Sequence, residues 1–310
     1  MQPALYHVPV MLNEVLEYLL TTPDGIYVDG TLGGGGHAEK ICEQLSAHGM
    51  LIGIDADADA ISAATDRLQH VKKKNILVHN NTEHIAAILR EQHISIIHGL
   101  LLDLGVSSFQ LDEAVKGFSF RGNEKLDMRM DKRQALDAAS VVNSYDEKAL
   151  ADIFFHFGEE KLSRKIARLI VRKRELKSIE TTGELAAIVE QSVGGKFAVK
   201  SLARVFQAIR IEVNNELERL KSILQDAVNG LTVGGRIVVI SYHSLEDRIV
   251  KQFFQSQAST RIPSGDKLIP DIALQPALKV LTRKPITATA EEIERNPRAR
   301  SAKLRAAEKI

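Results

Sequence analysis

Three aspartates, Asp29, Asp55 and Asp103, each close a short apolar run: Ile26-Tyr27-Val28, Met50-Leu51-Ile52-Gly53-Ile54 and Leu100-Leu101-Leu102. Strand ends are where an α/β protein presents chemistry to its ligand. The first aspartate opens Asp29-Gly30-Thr31-Leu32-Gly33-Gly34-Gly35-Gly36-His37, which runs into the helix-like Ala38-Glu39-Lys40-Ile41-Cys42. Glycine takes positive φ and has no Cβ, so such a loop turns sharply and brings its backbone close to a ligand before a helix N-terminus offers free N–H groups. Gly33 to Ala38 fits G-x-G-x-x-A, and Asp55, about 20 residues on, is placed to accept both hydroxyls of an adenosine ribose. The spacing fits NAD or S-adenosylmethionine. Asp29 favours the second, because a carboxylate suits a cofactor that carries an ammonium and a sulfonium and would repel a pyrophosphate.

The elements that must position these residues are regular. Strand-like runs recur at Ile26–Val28, Leu51–Ile54, Ile76–Val78 and Leu100–Leu104, with helix-like segments such as Asp59–Leu68 and Glu83–Glu91 between them. Continuous apolar strands alternating with helices indicate a parallel sheet covered on both faces. From about Ala114 to Arg210 the rhythm gives way to amphipathic helical patterns at Ala149–Phe157, Lys161–Glu175, Thr182–Ser192 and Leu202–Ile209. Gly234-Gly235 then introduces the apolar Arg236–Ser241 and a helix from about Leu245 to Ser256. The expectation is an α/β domain over residues 1–113 and 211–310, with a helical domain over residues 114–210 inserted after the fourth strand, roofing the ligand end of the sheet. Lys279–Thr282 and Ser301–Ala306 read as terminal antiparallel strands, although the second reads equally well as helix.

The chain of 310 residues carries a net charge of +1, which argues against a uniformly basic protein but leaves room for local basic patches. Cys42 is the only cysteine, so intrachain disulfides and cysteine-rich zinc sites are excluded and a buried helix position is expected for it. No metal motif is visible. The first residues, Met1–Tyr6, lack a basic stretch followed by an apolar core, and apolar runs such as Gly99–Leu102 are too short to span a bilayer. A cytoplasmic protein without membrane association is expected, and its oligomeric state is left open.

Further motifs follow in order: His7-Val8-Pro9-Val10-Met11, Asp103-Leu104-Gly105-Val106-Ser107-Ser108, Gln110-Leu111-Asp112, Gly117–Arg121, Leu126–Asp131, Val205–Ile211 with Val213–Leu217, Ile240–Arg248 and Asn296–Ser301. Together with the glycine loop they closely resemble the bacterial ribosomal RNA small-subunit methyltransferase H family, also called MraW, from near His7 to near Glu308. The resemblance implies a class I S-adenosylmethionine-dependent methyltransferase fold, Rossmann-like, that methylates N4 of a cytidine of 16S rRNA in the small ribosomal subunit, position 1402 in standard rRNA numbering. It places the cofactor contacts on Gly35, Gly36, His37, Asp55, Asp103 and Gln110. It also places Thr82 at the adenine edge of the cofactor, where the family usually has Phe, so aromatic packing on the adenine is not expected here and Thr82→Phe is expected to tighten cofactor binding. Phe109 replaces a usual Pro, and Gly122-Asn123-Glu124-Lys125 departs from the usual approach to Leu126.

Methylating an exocyclic amine requires the delocalised lone pair to be aligned and the N–H bonds to be accepted as the nitrogen becomes tetrahedral. Asp103 is the candidate acceptor, either acting directly or ordering the loop, and Phe118, Phe120 and Tyr242 are candidates for a stacking aromatic. His243 follows the fifth strand, where it can touch RNA, relay a proton or orient a backbone group, the commonest role of a lone histidine. The stretch Lys161–Lys177 has an apolar stripe of Leu162, Ile166, Leu169 and Ile170 and an almost purely cationic opposite face, including Arg168, Arg172 and Lys173, as a phosphate-tracking surface would. Arg298, Arg300, Lys303 and Arg305 form a second, weaker basic cluster. Two other readings remain: an NAD-dependent dehydrogenase, which leaves Asp29 and the later motifs unexplained, and a non-catalytic RNA-binding assembly factor.

Overall fold

The structure, a computed structural model, describes residues 9–105, 117–195, 198–262 and 271–310. The chain divides into two compact units, residues 1–105 with 217–310, and residues 106–216. Among the described residues no helix is long and apolar enough to cross a membrane.

The first unit begins with α1 (Leu12–Leu19), β1 (Ile26–Asp29), α2 (Gly36–Gln44), β2 (Met50–Asp55), α3 (Ala58–Leu68), β3 (Lys74–His79), α4 (Ile85–Glu91) and β4 (Ile97–Asp103). The second unit contributes α5 (Ala138–Ser144), α6 (Glu147–His156), α7 (Ser163–Arg174), α8 (Thr182–Val193) and α9 (Ala198–Asn214). The chain then runs through α10 (Glu216–Gly230), β5 (Leu231–Ser241), α11 (Ser244–Gln257), the short hairpin pair β6 (Arg261–Ile262) and β7 (Ile272–Ala273), β8 (Leu278–Val280), β9 (Ile286–Thr287), α12 (Ala290–Arg295) and β10 (Lys303–Lys309).

The main sheet has the order β3-β2-β1-β4-β5-β10-β8, with β9 also on β10. Its first five strands are parallel, and β10 runs antiparallel to β5, β8 and β9. Alternate side chains of each strand go to opposite faces. On one face Val28, Ile52, Ile54, Leu100, Leu102, Ile237 and Val239 pack with Ile85 and Ile88 of α4, Leu220 and Leu224 of α10, and Val250 and Phe254 of α11. On the other face Tyr27, Leu51, Leu101, Val238, Ile240 and Leu304 pack with Val15 and Leu19 of α1, Ile41 and Cys42 of α2, and Ala64 and Leu68 of α3. Both faces are therefore dry, which is why the strands read as unbroken apolar runs.

Three details go beyond the sequence reading. Helix α1 adds to the elements expected from sequence: Leu12, Val15, Leu16 and Leu19 fall at helical spacing and Val15 and Leu19 are buried. Gly234 and Gly235 lie within β5 rather than before it: Ile97 pairs with Leu231 and Gly99 with Arg236, so the extra residues bulge out of the strand, and Gly234 takes φ +79°. Ser301–Ala306, which admitted both readings, ends a 3-10 turn and enters strand β10.

Among its described residues the second unit has helices joined by irregular segments, with one isolated bridge between Lys125 and Thr181. Its core joins Leu150 and Phe154 of α6, Ile166 and Ile170 of α7, Leu185 and Val189 of α8, and Leu202, Val205 and Phe206 of α9. Helix starts carry the expected side-chain acceptors, Asp137, Asp146 and Thr181, the last in a reciprocal capping box with Glu184.

Candidate active site

The carboxyl ends of β1, β2, β4 and β5 lie side by side in the sheet, so Asp29, Asp55, Asp103 and Ser241 end neighbouring strands. The loop after β1 is laced to these ends by its own backbone. Gly30 N–H donates to the Leu101 carbonyl (2.9 Å), Thr31 N–H to Asp29 Oδ1 (3.2 Å), Leu32 N–H to the Ile54 carbonyl (3.1 Å), and Asp103 N–H to Thr31 Oγ1 (2.6 Å). Gly33 (φ +50°) and Gly35 (φ +75°) turn the chain into α2. A Cβ on Gly35 would lie 3.2 Å from that of Ala64 on α3, so both its φ and its packing call for glycine, whereas a Cβ on Gly34 would meet nothing within 4 Å. Gly35 is the N-cap of α2 and Gly36 its first residue. The loop apex therefore faces open space beside the unsatisfied N–H groups of a helix start.

Asp55 holds both sides of this turn. Its Oδ2 accepts from Gly33 N–H (2.8 Å) and its Oδ1 from Asp57 N–H (2.9 Å), which ties the glycine loop to the start of α3. A carboxylate oxygen can accept more than one hydrogen bond, so a ligand hydroxyl can share these oxygens with the backbone. Asp29 is buried, and burial pushes its carboxyl up to about 7; the Thr31 N–H works against this, and the nearby charges of Asp103 and Asp55 add to it.

Asp103 receives a hydrogen bond from the Tyr242 hydroxyl to Oδ1 (2.7 Å), and His37 Nδ1 lies 3.7 Å from Oδ2. The Tyr242 ring lies against Gly105, whose φ of +100° and lack of Cβ admit it; a Cβ there would stand 3.2 Å from the ring. Burial raises the Tyr242 pKa, and the charge of Asp103 raises it further, so the phenol stays protonated and donates. His37 is buried in α2 and its Nε2 meets the Val10 carbonyl at 2.9 Å. The next residue, Met11, takes φ +53° and gives its N–H to Glu292 Oε1 (2.6 Å) on α12. The segment before α1 is thus fastened at two points beside the strand ends. None of these pairings follows local spacing: Asp103 to Tyr242 spans 139 positions and Met11 to Glu292 spans 281.

His243 acts on backbone. It is the N-cap of α11, with Nδ1 accepting from Glu246 N–H (3.4 Å), while Glu246 Oε2 accepts from the N–H groups of Tyr242 (2.8 Å) and His243 (3.3 Å). Its Nε2 is 3.2 Å from Glu246 Oε1, and that buried nitrogen makes no hydrogen bond among the described residues. A capping role fits this geometry better than a catalytic one.

Thr82 is placed differently from the expectation of an adenine-facing position. It starts a 3-10 turn after β3, is buried, and donates its hydroxyl to the Gly30 carbonyl, while its methyl carbon lies 2.7 Å from where a Cβ on Gly30 would stand. The side chain buttresses the end of β1. The expected contact at Gln110 lies outside the described residues. Of the aromatic candidates, Phe118 belongs to the core of the helical unit and Phe120 packs edge-on to Phe206 (5.6 Å, 72°) within that unit, which leaves Tyr242 at the strand ends. The second basic cluster is in part structural. Arg305 is buried with Nε 2.6 Å from Asp247 Oδ1, and Lys303 Nζ is 3.5 Å from Oδ2; burial alone would raise Asp247, but the Arg305 hydrogen bond holds it below the usual carboxylate range.

A cofactor with a cationic inner end fits this donor set: a turn without side chains, a carboxylate beyond it, and two more carboxylates, one buried, at the ends of adjoining strands. With the parallel order 3-2-1-4-5 followed by an antiparallel strand, these features define a class I S-adenosylmethionine-dependent methyltransferase. The chain belongs to the MraW methylase family, which it matches over residues 4–310. It is 48% identical over 308 residues to the ribosomal RNA small subunit methyltransferase H of Clostridium botulinum (strain Loch Maree / Type A3), covering 98% of this chain and 99% of that one. The protein of the same name from Caldicellulosiruptor saccharolyticus is 49% identical over 306 residues, with 98% and 99% covered, and that of Carboxydothermus hydrogenoformans 47% over 306 residues, with 98% of each covered. An rRNA methylase of known structure from Streptococcus thermophilus is similar at 11% identity and a TM-score of 0.44, over 96% of this chain and 93% of that one. Membership of a methylase family sets aside the dehydrogenase reading.

Proposed function

We propose that the protein methylates N4 of a cytidine in 16S rRNA of the small ribosomal subunit, at position 1402 in standard rRNA numbering. The rRNA substrate is supported by the names of relatives at about 48% identity along nearly the whole chain. The observation that carries the chemistry is Asp103, held at the end of β4 by the Tyr242 hydroxyl and by its own N–H on Thr31.

S-adenosylmethionine supplies a methyl group activated by its sulfonium. The acceptor nitrogen would take that methyl group, the C–S bonding pair would stay with sulfur, and the amine would release one proton. Because that lone pair is delocalised into the ring, the nitrogen reacts only when its N–H bonds are turned and accepted. A carboxylate whose orientation is fixed before substrate arrives does this without reorganising during the reaction. Asp103 takes that part, with Tyr242 as a positioning residue. Asp55 takes the ribose hydroxyls, Asp29 the cationic inner end of the cofactor, and Gly35, Gly36 and His37 the wall of the loop. Thr82 supports that wall from behind. The target base must be unpaired or flipped to meet a strand-end carboxylate, so RNA structure matters as well as sequence.

The test is transfer of a radiolabelled methyl group to small subunits lacking the mark, followed by nucleoside analysis. Label recovered as N4-methylated cytidine supports the reading. Label on another nucleoside, or transfer to protein alone, overturns it, and cofactor binding without any transfer returns the non-catalytic assembly factor.

A further inference from the structure

Helix α7 breaks rules that a helix made only for stability obeys. Ser163, Ile166, Ala167 and Ile170 are buried in the helical unit, and the opposite face is cationic. Arg164 and Lys165 occupy the first turn, which itself holds no acid, at the end where the helix dipole disfavours positive charge. Arg164, Arg168 and Arg172 follow one another at i, i+4 and i+8. Like charges four apart on a helix repel.

The surroundings do little to relieve this. Arg164, Lys165, Arg172 and Lys173 are exposed and form no ion pair among the described residues. Arg168 is 59% exposed and makes one long contact, 3.4 Å, to the exposed Glu147. By contrast Arg174 donates to the Val142 carbonyl (2.7 Å) and Lys177 pairs with Glu184 (2.6 Å), so not every cation here is left to solvent. Dipole favour explains Arg172 and Lys173 in the last turn, but it does not explain Arg164 and Lys165 in the first.

Resting on the reading above of an rRNA methyltransferase, we infer that the outer face of α7 tracks the backbone phosphates of one RNA strand. Four residues of helix rise about 6 Å, so Arg164, Arg168 and Arg172 form an evenly stepped row of long side chains suited to successive phosphates. Beyond the end of the helix Leu176 is 84% exposed and offers an apolar surface to a base or ribose. A protein partner fits less well, because a protein interface has an apolar centre, and the exposed residues of this helix, Arg164, Lys165, Arg168, Arg172 and Lys173, are all cationic.

The test compares the intact protein with a variant carrying Arg164→Gln, Arg168→Gln and Arg172→Gln. The readouts are affinity for a 16S rRNA transcript as a function of salt, calorimetric affinity for S-adenosylmethionine, and melting temperature. Each lost phosphate contact removes about 0.7 from the slope of log K against log salt for a single strand, so the slope should flatten by about 2 while cofactor affinity stays unchanged. The melting temperature should hold or rise, because the repulsion is relieved. An unchanged slope in a variant that still binds cofactor overturns the inference, as does a fall in melting temperature that accounts for the weakened binding, or retained RNA affinity with loss of an acidic protein partner. If the intact protein neither binds nor methylates the RNA, the proposed function fails first, and the two failures remain distinct.

Discussion

The strand ends of the sheet unit and the outer face of α7 are both charged, and they are charged in opposite ways. At the strand ends the charges are negative, partly or wholly buried and fixed: Asp55 is held by two backbone N–H groups, Asp103 by a tyrosine, and Asp29 lies under the loop with its pKa displaced. On α7 the charges are positive, exposed and mostly without partners among the described residues. Under the function proposed above, the difference separates two tasks. Aligning a lone pair demands groups whose positions are settled beforehand, which requires burial and hydrogen bonds. Following a polyanion demands charge that can adapt and shed counterions, which requires exposure. Substitutions at the first region should therefore change rate and cofactor affinity with little salt dependence, and substitutions at the second should do the reverse.

The sharpest break is expected at Asp103. Asp103→Asn keeps the size and removes the charge, and it should lower the single-turnover rate at saturating cofactor by about 10² to 10³. A full rate would remove Asp103 from the electrostatics of the reaction. Asp55→Ala should weaken S-adenosylmethionine binding by about 10 to 100-fold, since hydrogen bonds to a charged acceptor are worth about 1.5 to 3 kcal/mol and the N–H groups of Gly33 and Asp57 lose their acceptor too. Calorimetry showing equal affinity would dissociate Asp55 from the cofactor.

Asp29 makes the region sensitive to pH in a stated direction. Its folded pKa, about 7, lies above its unfolded value near 3.8, so the folded state holds the proton more tightly. The resulting stabilisation is complete below about pH 3.8 and is lost as pH rises through about 7. Without cofactor, stability should fall by up to about 1.4 kcal/mol per pH unit within that window. Asp29→Asn should flatten the trend in melting temperature. A cationic ligand favours the ionised carboxylate, so cofactor affinity should rise across the same window. A melting profile that is the same with Asp or Asn at position 29 would show that this carboxylate titrates outside the window.

Smaller effects test the supports. Tyr242→Phe takes one hydrogen bond from the Asp103 carboxylate without touching the cofactor loop, and the saturated rate should drop about 3 to 10-fold, less than the full 1.5 to 3 kcal/mol of a charged hydrogen bond, because Asp103 remains. Cofactor affinity should not change, and equal losses in both would mean that Tyr242 holds the pocket rather than the acceptor. Thr82→Val removes only the hydroxyl given to Gly30 and should cost about 0.5 to 1.5 kcal/mol in chemical denaturation. Thr82→Phe, which on sequence grounds would tighten cofactor binding, should instead destabilise by about 1 to 3 kcal/mol, because the position is already filled.

What the sequence disclosed and what it withheld follow from range. The parallel strands were legible because both faces of the sheet are dry, so Val28, Leu51, Ile52 and Leu100–Leu102 form continuous apolar runs. The glycine loop and its aspartates were legible because backbone conformation imposes fixed local spacing. The positions of side chains were not. Nothing near Thr82 announces that its hydroxyl reaches Gly30, and nothing near Arg305 announces Asp247, so one residue read as ligand-facing supports the loop and another read as a surface cation is a buried ion pair. Helix α1 was legible in principle, with Val15 and Leu19 four apart on its buried side, but eight residues give a weak period.

The central claim is that acceptor and phosphate track are separate devices, and Asp103→Asn tests it most directly. Single-turnover methyl transfer at saturating cofactor is measured beside RNA affinity across a salt series. The account predicts a rate lowered by about 10² or more with the RNA affinity and its salt slope unchanged. An RNA affinity that falls in step with the rate would contradict it, because the carboxylate at the end of β4 would then be holding RNA rather than aligning its reacting nitrogen.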